Sequence, residues 1–361
     1  MTLGGIRCYL TTLSRRLTDV EAARQFKATP AQVAEKLAAA RRILFDTRRR
    51  RPRPHLDDKI VTAWNGLMIS AFARAHQALG DAPYRAAATR AARFIQSELY
   101  DRERGVLRRS YREGPAAIDG FAADYAFLIQ GLLDLYEAGF DVEWLDWADR
   151  LQTKQDELFW DDKGGGYFAS TRKDASVLLR LKETYDGAEP SENSVAIRNL
   201  VRLAFMLDQP ARREKALRAL RAFAGELERA PIALPQMLVA LDAARGKPAQ
   251  IVIAGRPDAE DTRALLAIVR AHAKPTSVVL LADGGAGQRF LGSRVSFYES
   301  VFPIDGRATV YVCENFACQL PTSDPMQLRA LLRKADDAPG GTSPSSANAT
   351  TTKPAAEPRI P

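Results

Sequence analysis

Carboxylates recur just before apolar helical stretches in this sequence. Three such segments are HLDDKIVTAWNG (55–66), IDGFAADYAF (118–127) and YDGAEPSENSVA (185–196). Two carboxylates that flank a cleft can hydrolyse a glycosidic bond, one as the acid and the other as the base or nucleophile. Trp and Tyr rings in the same segments would pack on the apolar C–H surface of a sugar. The sequence therefore predicts a saccharide site if these segments converge.

The candidate residues divide by role. The predicted catalytic carboxylates are Asp58, Asp124 and Glu189. The predicted substrate-binding residues are His55, Asp57, Trp64, Asn65, Asp119, Tyr125, Tyr185, Asp186 and Asn193. Each acid alone has a structural alternative, because Asp and Glu near a helix N-terminus accept backbone N–H bonds and oppose the helix dipole. Converging acids repel each other, however, and capping alone does not require several at one rim. As a set they favour function.

Other chemistries have weaker support. Sugar epimerisation through ring opening would favour two histidines with a pKa near neutrality. The chain has three, of which His55 precedes LDDK, His76 lies in an apolar helix and His272 lies near the C-terminus. The segment GGAGQ (284–288) lacks both the GxGxxG spacing and the P-loop lysine, so we predict a turn there. We predict no metal and no cofactor.

A repeat of helices would position the acidic segments. Buried helices are predicted at about 59–79, 120–138 and 192–207, each followed by an amphipathic helix at about 83–99, 142–158 and 211–228, and LPQMLVALDAA closes the series. Because one hairpin cannot bury its apolar face alone, this repeat predicts stacked hairpins. Curved, they form an α/α toroid with equivalent loops at one end. An open solenoid is the alternative.

The pattern changes near residue 247. AQIVIAG and TSVVLLADG are short β-branched runs separated by a helical stretch, which predicts a β-α-β unit with parallel strands. The predicted fold is therefore mainly α, an incomplete (α/α)6 toroid of helical hairpins followed by a small α/β segment with parallel strands. The predicted divisions are a partly disordered lead-in (1–28), the toroid (29–246), the α/β segment (247–334) and a disordered tail (335–361).

Composition and charge exclude several function classes. The formal charge is +8, but much of it lies in RRILFDTRRRRPRP (41–54) at the end of a predicted helix, where basic residues complement the dipole. We therefore predict no nucleic-acid partner. No apolar run could span a bilayer and no signal-peptide block is present, so we predict a cytoplasmic protein without a membrane partner. Cys8, Cys313 and Cys318 are predicted to be buried reduced thiols.

Several long motifs, in order, resemble one family. They are RPRPHLDDKIVTAWNGLMISAFARA, GFAADYAFLIQGLLDLYEA, YDGAEPSENSVA, LPQMLVALD and VYVCENFACQLPTSDP, and they extend over about residues 15–333. The sequence is similar to the thioredoxin-domain-containing, spermatogenesis-associated protein family. That resemblance implies a thioredoxin-like domain followed by an (α/α)6 toroid similar to N-acylglucosamine 2-epimerase and six-hairpin glycosidases. It also implies a link to carbohydrate metabolism by fold.

The sequence departs from that family pattern in one respect. The thioredoxin-like domain and the first toroid hairpins are missing, since the predicted helices fall short of the six hairpins of a closed ring. We therefore expect the C-terminal part of a longer protein, whose uncovered toroid flanks promote association. Two functions remain open: a sugar hydrolase-like or epimerase-like enzyme fragment, and a non-catalytic scaffold that binds a protein partner.

Overall fold

The structure, a computed structural model, describes residues 15–172, 177–246, 248–314 and 317–337. The chain divides into two compact units, Met1–Asp58 and Lys59–Pro361. The first unit contains helices α1 (Asp19–Gln25) and α2 (Pro30–Arg49). Thr29 caps α2 by accepting a hydrogen bond from the N–H of Gln32 at 3.2 Å, and Pro30 is the first helical residue.

The second unit begins with three helical hairpins. In chain order its first elements are β1 (Ile60–Val61), α3 (Thr62–Leu79), α4 (Ala82–Glu98), β2 (Tyr100–Asp101), β3 (Val106–Leu107), β4 (Ser110–Tyr111), α5 (Ala122–Gly139), α6 (Val142–Phe159), α7 (Glu192–Met206), α8 (Pro210–Ala222), α9 (Ala224–Arg229) and α10 (Pro235–Arg245). The predicted helices are confirmed with shifts of a few residues, except that the one predicted at 211–228 breaks at Phe223 into α8 and α9.

The hairpins form two layers. The inner helices α3, α5, α7 and α10 pack against one another in that order, and α4, α6 and α8 cover them from outside. One continuous apolar core runs through both layers. The helix α5 is buried nearly all round, as its sequence indicates. The described chain is thus mainly helical, with hairpins arranged as an incomplete α/α toroid.

Two glycines allow α3 and α5 to cross closely. A Cβ atom added to Gly66 would lie 2.5 Å from the backbone N of Leu128, and one added to Gly131 would lie 2.6 Å from the backbone O of Gly66. Any side chain at either position would push the backbones apart, so glycine is what lets the inner layer close at this crossing.

A small α/β segment follows. Its elements are β5 (Ala249–Ala254), α11 (Glu260–His272), β6 (Val278–Ala282), α12 (Ala286–Arg294), β7 (Thr309–Glu314), β8 (Ala317–Cys318) and α13 (Pro325–Asp337). The strand order is β6-β5-β7-β8. The predicted parallel pairing holds for β5 and β6, but β7 pairs antiparallel to β5 and β8 antiparallel to β7. The sheet is therefore mixed, because β7 enters on the opposite edge of β5 with reversed direction.

The prediction of reduced thiols at Cys313 and Cys318 is wrong. These residues are joined by a disulfide. They lie directly opposite each other in the antiparallel pair of β7 and β8, which brings their side chains together. Cys8 and the tail from residue 338 lie outside the described residues.

The α/β segment packs on the hairpins through buried polar contacts. Gln250 of β5 donates from Nε2 to the backbone O of Phe205 at 2.7 Å, and the hydroxyl of Tyr298 donates to the backbone O of Met206 at 3.0 Å. Both acceptors lie at the C-terminal end of α7. No helix in the described part of the chain is long and apolar enough to cross a bilayer.

Candidate functional site

The N-termini of three inner helices lie together in the second unit. The backbone N–H of Ala63 in α3 donates to Asp124 of α5 at 2.9 Å. The indole N–H of Trp64 in α3 donates to Oε2 of Glu189, just before α7, at 3.1 Å. The parts of the three acidic segments that belong to this unit are thus brought to one end of the hairpins.

Asp124 is fully buried at this end. Both of its carboxylate oxygens accept from Nη1 of Arg109 at 2.9 Å, and Oδ2 also accepts from the N–H of Phe121 at 2.8 Å. Burial raises the pKa of Asp124, while Arg109 and the backbone amides oppose that rise. With its oxygens occupied by protein donors, Asp124 ties α3 and α5 to the segment between β3 and β4 that carries Arg109.

Two more candidates also have structural partners. Asp119 is paired with Arg104 at 2.5 Å and with Arg108 at 3.0 Å. Tyr125 is fully buried, and its hydroxyl accepts from the N–H of Leu107 at 3.0 Å. Burial raises the pKa of the Tyr125 hydroxyl well above its usual range. These contacts hold the β2–β4 region on the start of α5.

Asp186 and Asn193 organise the acidic segment 185–196. Asp186 accepts from the N–H of Ser191 and from that of Gln236, each at 2.8 Å, so one carboxylate caps both the turn before α7 and the start of α10. Asn193 accepts from the N–H of Tyr167 at 2.7 Å and donates to its carbonyl at 2.9 Å. The segment therefore connects to α7 and supplies helix caps, and it also borders the end of the hairpins where the three helix N-termini meet.

Trp64, Tyr185 and Glu189 are the predicted site residues in this unit that are exposed. Trp64 is 59% exposed and Tyr185 67%. Asn65, one position along, instead donates to the backbone O of Val61 at 2.9 Å. A cavity of about 660 Å³ lies here, lined by Trp64, Leu67, Met68, Ala71, Ala188 and Glu189. An accessible aromatic face thus stands next to a carboxylate.

Glu192, which the sequence prediction omitted, is a further buried acid at this end of the hairpins. Its side chain is buried, and Oε1 has no hydrogen-bond partner. Burial, with the negative charges of Glu183 and Glu189, raises the pKa of Glu192 to about 7. It borders a cavity of about 310 Å³ lined by Arg109, Phe121, Ala123, Ala169, Ser170, Val177 and Glu192.

The sequence held one weak signal for Glu192. It is the third acid of the segment and the first residue of α7, directly after the N-cap Ser191. An acid at that position is normally explained by the helix dipole, so only the burial of its side chain distinguishes it.

Three predicted site residues lie outside this unit. His55, Asp57 and Asp58 end the first unit, in a stretch without helix or strand, and all three are exposed. The site described above is confined to the second unit, and the roles of these three residues stay predictions.

The glycine-rich turn is occupied by its own chain. The N–H groups of Gly285 and Gln288 donate to Oδ1 of Asp283 at 2.7 and 2.8 Å, and that of Gly287 to Oδ2 at 3.2 Å. These amides are the ones a phosphate would need, so the turn has no free phosphate cradle. Among residues 15–172, 177–246, 248–314 and 317–337, no cluster of His, Cys, Asp or Glu could hold a metal ion.

Comparison with known proteins finds relatives longer than this chain. Spermatogenesis-associated protein 20 of Mus musculus is 44% identical over 300 residues, which cover 81% of this chain and 38% of that protein. An uncharacterized protein of Caenorhabditis elegans is 36% identical over 333 residues, covering 89% of this chain and 44% of its own length. No protein-family model matches the chain. The chain thus spans less than half the length of these relatives.

Solved structures give weaker likenesses. Cellobiose 2-epimerase from Bacillus thermoamylovorans matches 47% of this chain and 46% of its own, with a TM-score of 0.41 and 15% identity. A GH76 α-mannanase from Bacteroides thetaiotaomicron matches 48% of this chain and 47% of its own, with a TM-score of 0.40 and 16% identity.

Proposed function

We propose that this chain, a homologue of part of spermatogenesis-associated protein 20, binds a saccharide where Trp64, Glu189 and Glu192 lie, and that Glu192 serves as general acid or base there. The family resemblance predicted from the sequence is confirmed by that relative. Since the chain covers 38% of the relative, the proposal concerns this site and leaves open which hydrolase-like or epimerase-like reaction it performs.

The observation that carries the proposal is the state of Glu192. A carboxyl group with a pKa of about 7 is partly protonated at neutral pH. Proton transfer is most efficient when the pKa of the catalytic group lies near the working pH. Its Oε1 is buried and accepts no hydrogen bond from the protein, and the residue borders a cavity of about 310 Å³ from which a ligand would approach. Strongly shifted groups beside a cavity are typical of functional sites.

Trp64 and Glu189 supply the rest of a sugar site. The exposed indole ring offers a flat apolar face for the C–H surface of a pyranose. Glu189 accepts the indole N–H and is exposed, so it can accept a hydrogen bond from a ligand hydroxyl or act as the second carboxylate. Asp124, buried and fully bonded, is a positioning residue in this proposal.

The first prediction tests Glu192 by removing its proton while keeping its shape. In a panel of aryl glycosides and reducing disaccharides, Glu192→Gln should lose about 10²–10⁴-fold in turnover. The same variant should keep the thermal shift that an active saccharide produces, because binding uses Trp64 and Glu189. Turnover, epimer ratio and melting temperature are the measurements.

The matched control is Glu103→Gln, which makes the same change at an exposed residue of the β2–β3 turn. It should behave as the parent chain does. Wild-type turnover in Glu192→Gln, or no saccharide that shifts the melting temperature of the parent chain, would contradict the proposal.

A second candidate function is association through apolar surface. Leu178, Leu179, Tyr185 and Ile232 all extend into solvent, and Ile232 is 93% exposed. Tyr185 and Ile232 are brought together where the N–H of Asp186 donates to the O of Ala233, and exposed apolar patches mark interaction surfaces. Experiments can distinguish the two candidate functions, because self-association is measured in the absence of any saccharide.

A further inference from the structure

An open face runs along the inner helices away from the saccharide site. On α3 the exposed residues Trp64, Met68, Ala71 and Arg74 share one helical face. The residues Gln130 and Glu137 of α5 are partly exposed one heptad apart, and Arg198 is the one residue of α7 that is not buried. We call this surface the axial groove, and it is defined by Trp64, Met68, Ala71, Arg74, Gln130, Glu137 and Arg198.

The groove ends in a network of charges. Asp134 of α5 is fully buried and paired with Arg74 at 2.9 Å and with Arg202 at 2.8 Å. The hydroxyl of Ser70 also donates to its Oδ2 at 2.5 Å. Burial alone would raise the pKa of Asp134, but Arg202, Arg74 and Ser70 outweigh burial and lower it. Asp134 is therefore an ionised carboxylate whose charge is already matched by two arginines.

Glu137 is the second acid of this network. It is paired with Arg202 at 2.8 Å and accepts from the N–H of Val279 at 3.3 Å. Burial raises the pKa of Glu137, so its negative charge is the weaker of the two. Three guanidinium groups, those of Arg74, Arg198 and Arg202, thus face two carboxyl groups, and at least one positive charge remains unmatched.

The unmatched charge belongs to Arg198. Its side chain makes no hydrogen bond or ion pair with any other residue that the structure describes. Burial, followed by the like charges of Arg202 and Arg74, lowers the pKa of Arg198 to about 10. Asp134 and Glu137 attract Arg198 and oppose this lowering, but both acids are hydrogen-bonded to other arginines. A partly buried guanidinium without a hydrogen-bonded anion of its own is unfavourable unless a further anion binds it. Its five donors in a planar fork suit a carboxylate or phosphate group.

We propose, resting on the saccharide site above, that the ligand of the axial groove is an anionic saccharide whose charged group binds Arg198 and Arg74. Trp64 and Glu189 would hold the sugar at one end, and the two arginines would receive the anionic substituent at the other. Met68 and Ala71 form an apolar floor between these ends.

Helix geometry sets the size of that ligand. Glu192 and Arg198 are six residues apart on α7, a rise of about 9 Å. Trp64 and Arg74 are ten residues apart on α3, a rise of about 15 Å. Both separations exceed one pyranose ring, so the ligand has at least two sugar units, with its negative charge on the unit remote from Trp64.

The test compares digalacturonate, one of whose two carboxylates lies on the unit remote from Trp64, with its dimethyl ester, which has nearly the same shape and no charge. For the parent chain we expect the acid to bind at least about tenfold more tightly than the ester. Arg198→Gln should abolish that preference, so that acid and ester bind with about equal affinity. Arg221→Gln, the same change at an exposed residue of α8, should preserve it. Titration calorimetry measures both affinities.

A stability readout separates a ligand-binding role from a structural one. Because burial and the neighbouring arginines outweigh the attraction of Asp134 and Glu137 for Arg198, Arg198→Gln without ligand should unfold at the same or a higher temperature than the parent chain. A lowered melting temperature would show that Arg198 is structurally paired and would overturn the proposal. Equal affinity for acid and ester in the parent chain would overturn it too.

Further ligands show which of the two proposals is wrong if the test fails. If neutral cellobiose binds and digalacturonate shows no preference, the anionic-ligand proposal is wrong while the saccharide site stands. If no saccharide binds, both proposals fail. Inorganic phosphate and glucose 6-phosphate distinguish the type of anion: competition by either with digalacturonate supports a site for phosphate as well as carboxylate, and its absence supports a carboxylate site.

Discussion

Asp124 and Glu192 carry similar groups in the first turns of neighbouring inner helices, and their surroundings separate their roles. Asp124 receives Arg109 and two backbone amides, so its charge is balanced inside the protein. Glu192 is buried beside other acids and keeps one free oxygen. Burial without a cation favours the protonated form of a carboxyl group. The hydrogen bonds from Arg109 and the backbone therefore mark Asp124 as a structural acid, while Glu192 fits the proposed role of proton donor.

The raised pKa of Glu192 predicts a pH-dependent stability. In the unfolded chain the carboxyl ionises near the ordinary glutamate pKa of 4.5, and in the folded chain near 7. Between these values only the unfolded state loses the proton, so the free energy of unfolding of the parent chain falls as the pH rises through this window. Above it, both states are ionised and the contribution of Glu192 stays constant. Relative to the parent, Glu192→Gln should gain about 2–3 kcal/mol between about pH 5 and about pH 8.

Urea unfolding of both chains at the two pH values measures that difference. Glu103→Gln at an exposed position should show a difference that does not vary with pH. A constant difference between Glu192→Gln and the parent chain would mean that Glu192 ionises normally, and the proposed acid/base role would lose its basis.

The sequence predicted that the acidic segments converge better than it predicted the contacts of each acid. The convergence of acidic segments followed from the helical repeat. The different surroundings of Asp124, Glu189 and Glu192 could not be derived from the repeat, because their hydrogen-bond partners are remote in sequence. Arg109 is 15 residues from Asp124, and Trp64 is 125 residues from Glu189. Local spacing carries no information on such contacts.

At the scale of elements, the crossing of α3 and α5 depends on Gly66. The Cβ of Gly66→Ala would lie 2.5 Å from both Leu128 N and Phe127 C, which are backbone atoms that no rotamer change can move. We expect a loss of at least about 2 kcal/mol in the free energy of unfolding, despite the better helix propensity of alanine. Urea titration measures it.

Gly225→Ala is the matched control for that crossing. Gly225 lies in α9 with no atom within 4 Å of an added Cβ. There the substitution should be neutral or stabilising by up to about 1 kcal/mol. Equal stability of Gly66→Ala and the parent chain would show that the two helices can separate without cost.

Helices were predictable here and strand direction was not. The apolar period of 3.6 residues marks each helix within a few positions, and Gly80 ends α3 in a left-handed conformation with φ of 79°. The run ATVYVCEN marks β7 as a strand, but an apolar run has no direction. Only the sheet shows β7 antiparallel to β5. The same pairing placed Cys313 opposite Cys318, which their spacing alone did not suggest.

At the scale of the second unit, one end of the hairpins combines charge with apolar surface. The backbone N–H of Asp186 donates to the O of Ala233 at 2.9 Å, so Tyr185 and Ile232 are neighbours. Both side chains are mostly exposed, as are Leu178 and Leu179. Burying such residues is worth roughly 1.5–3 kcal/mol each when it is complete. The surface therefore favours contact with a second apolar surface.

We accordingly expect the chain to self-associate, and a charge at this surface to prevent it. The sedimentation coefficient of the parent chain should rise with concentration. Ile232→Asp should abolish the rise, because pairing two copies would bury an unpaired carboxylate. Met326→Asp places the same charge on α13, at a side chain that is 72% exposed, and should leave association intact. A parent chain that stays monomeric at every concentration would rule out a second copy as the occupant.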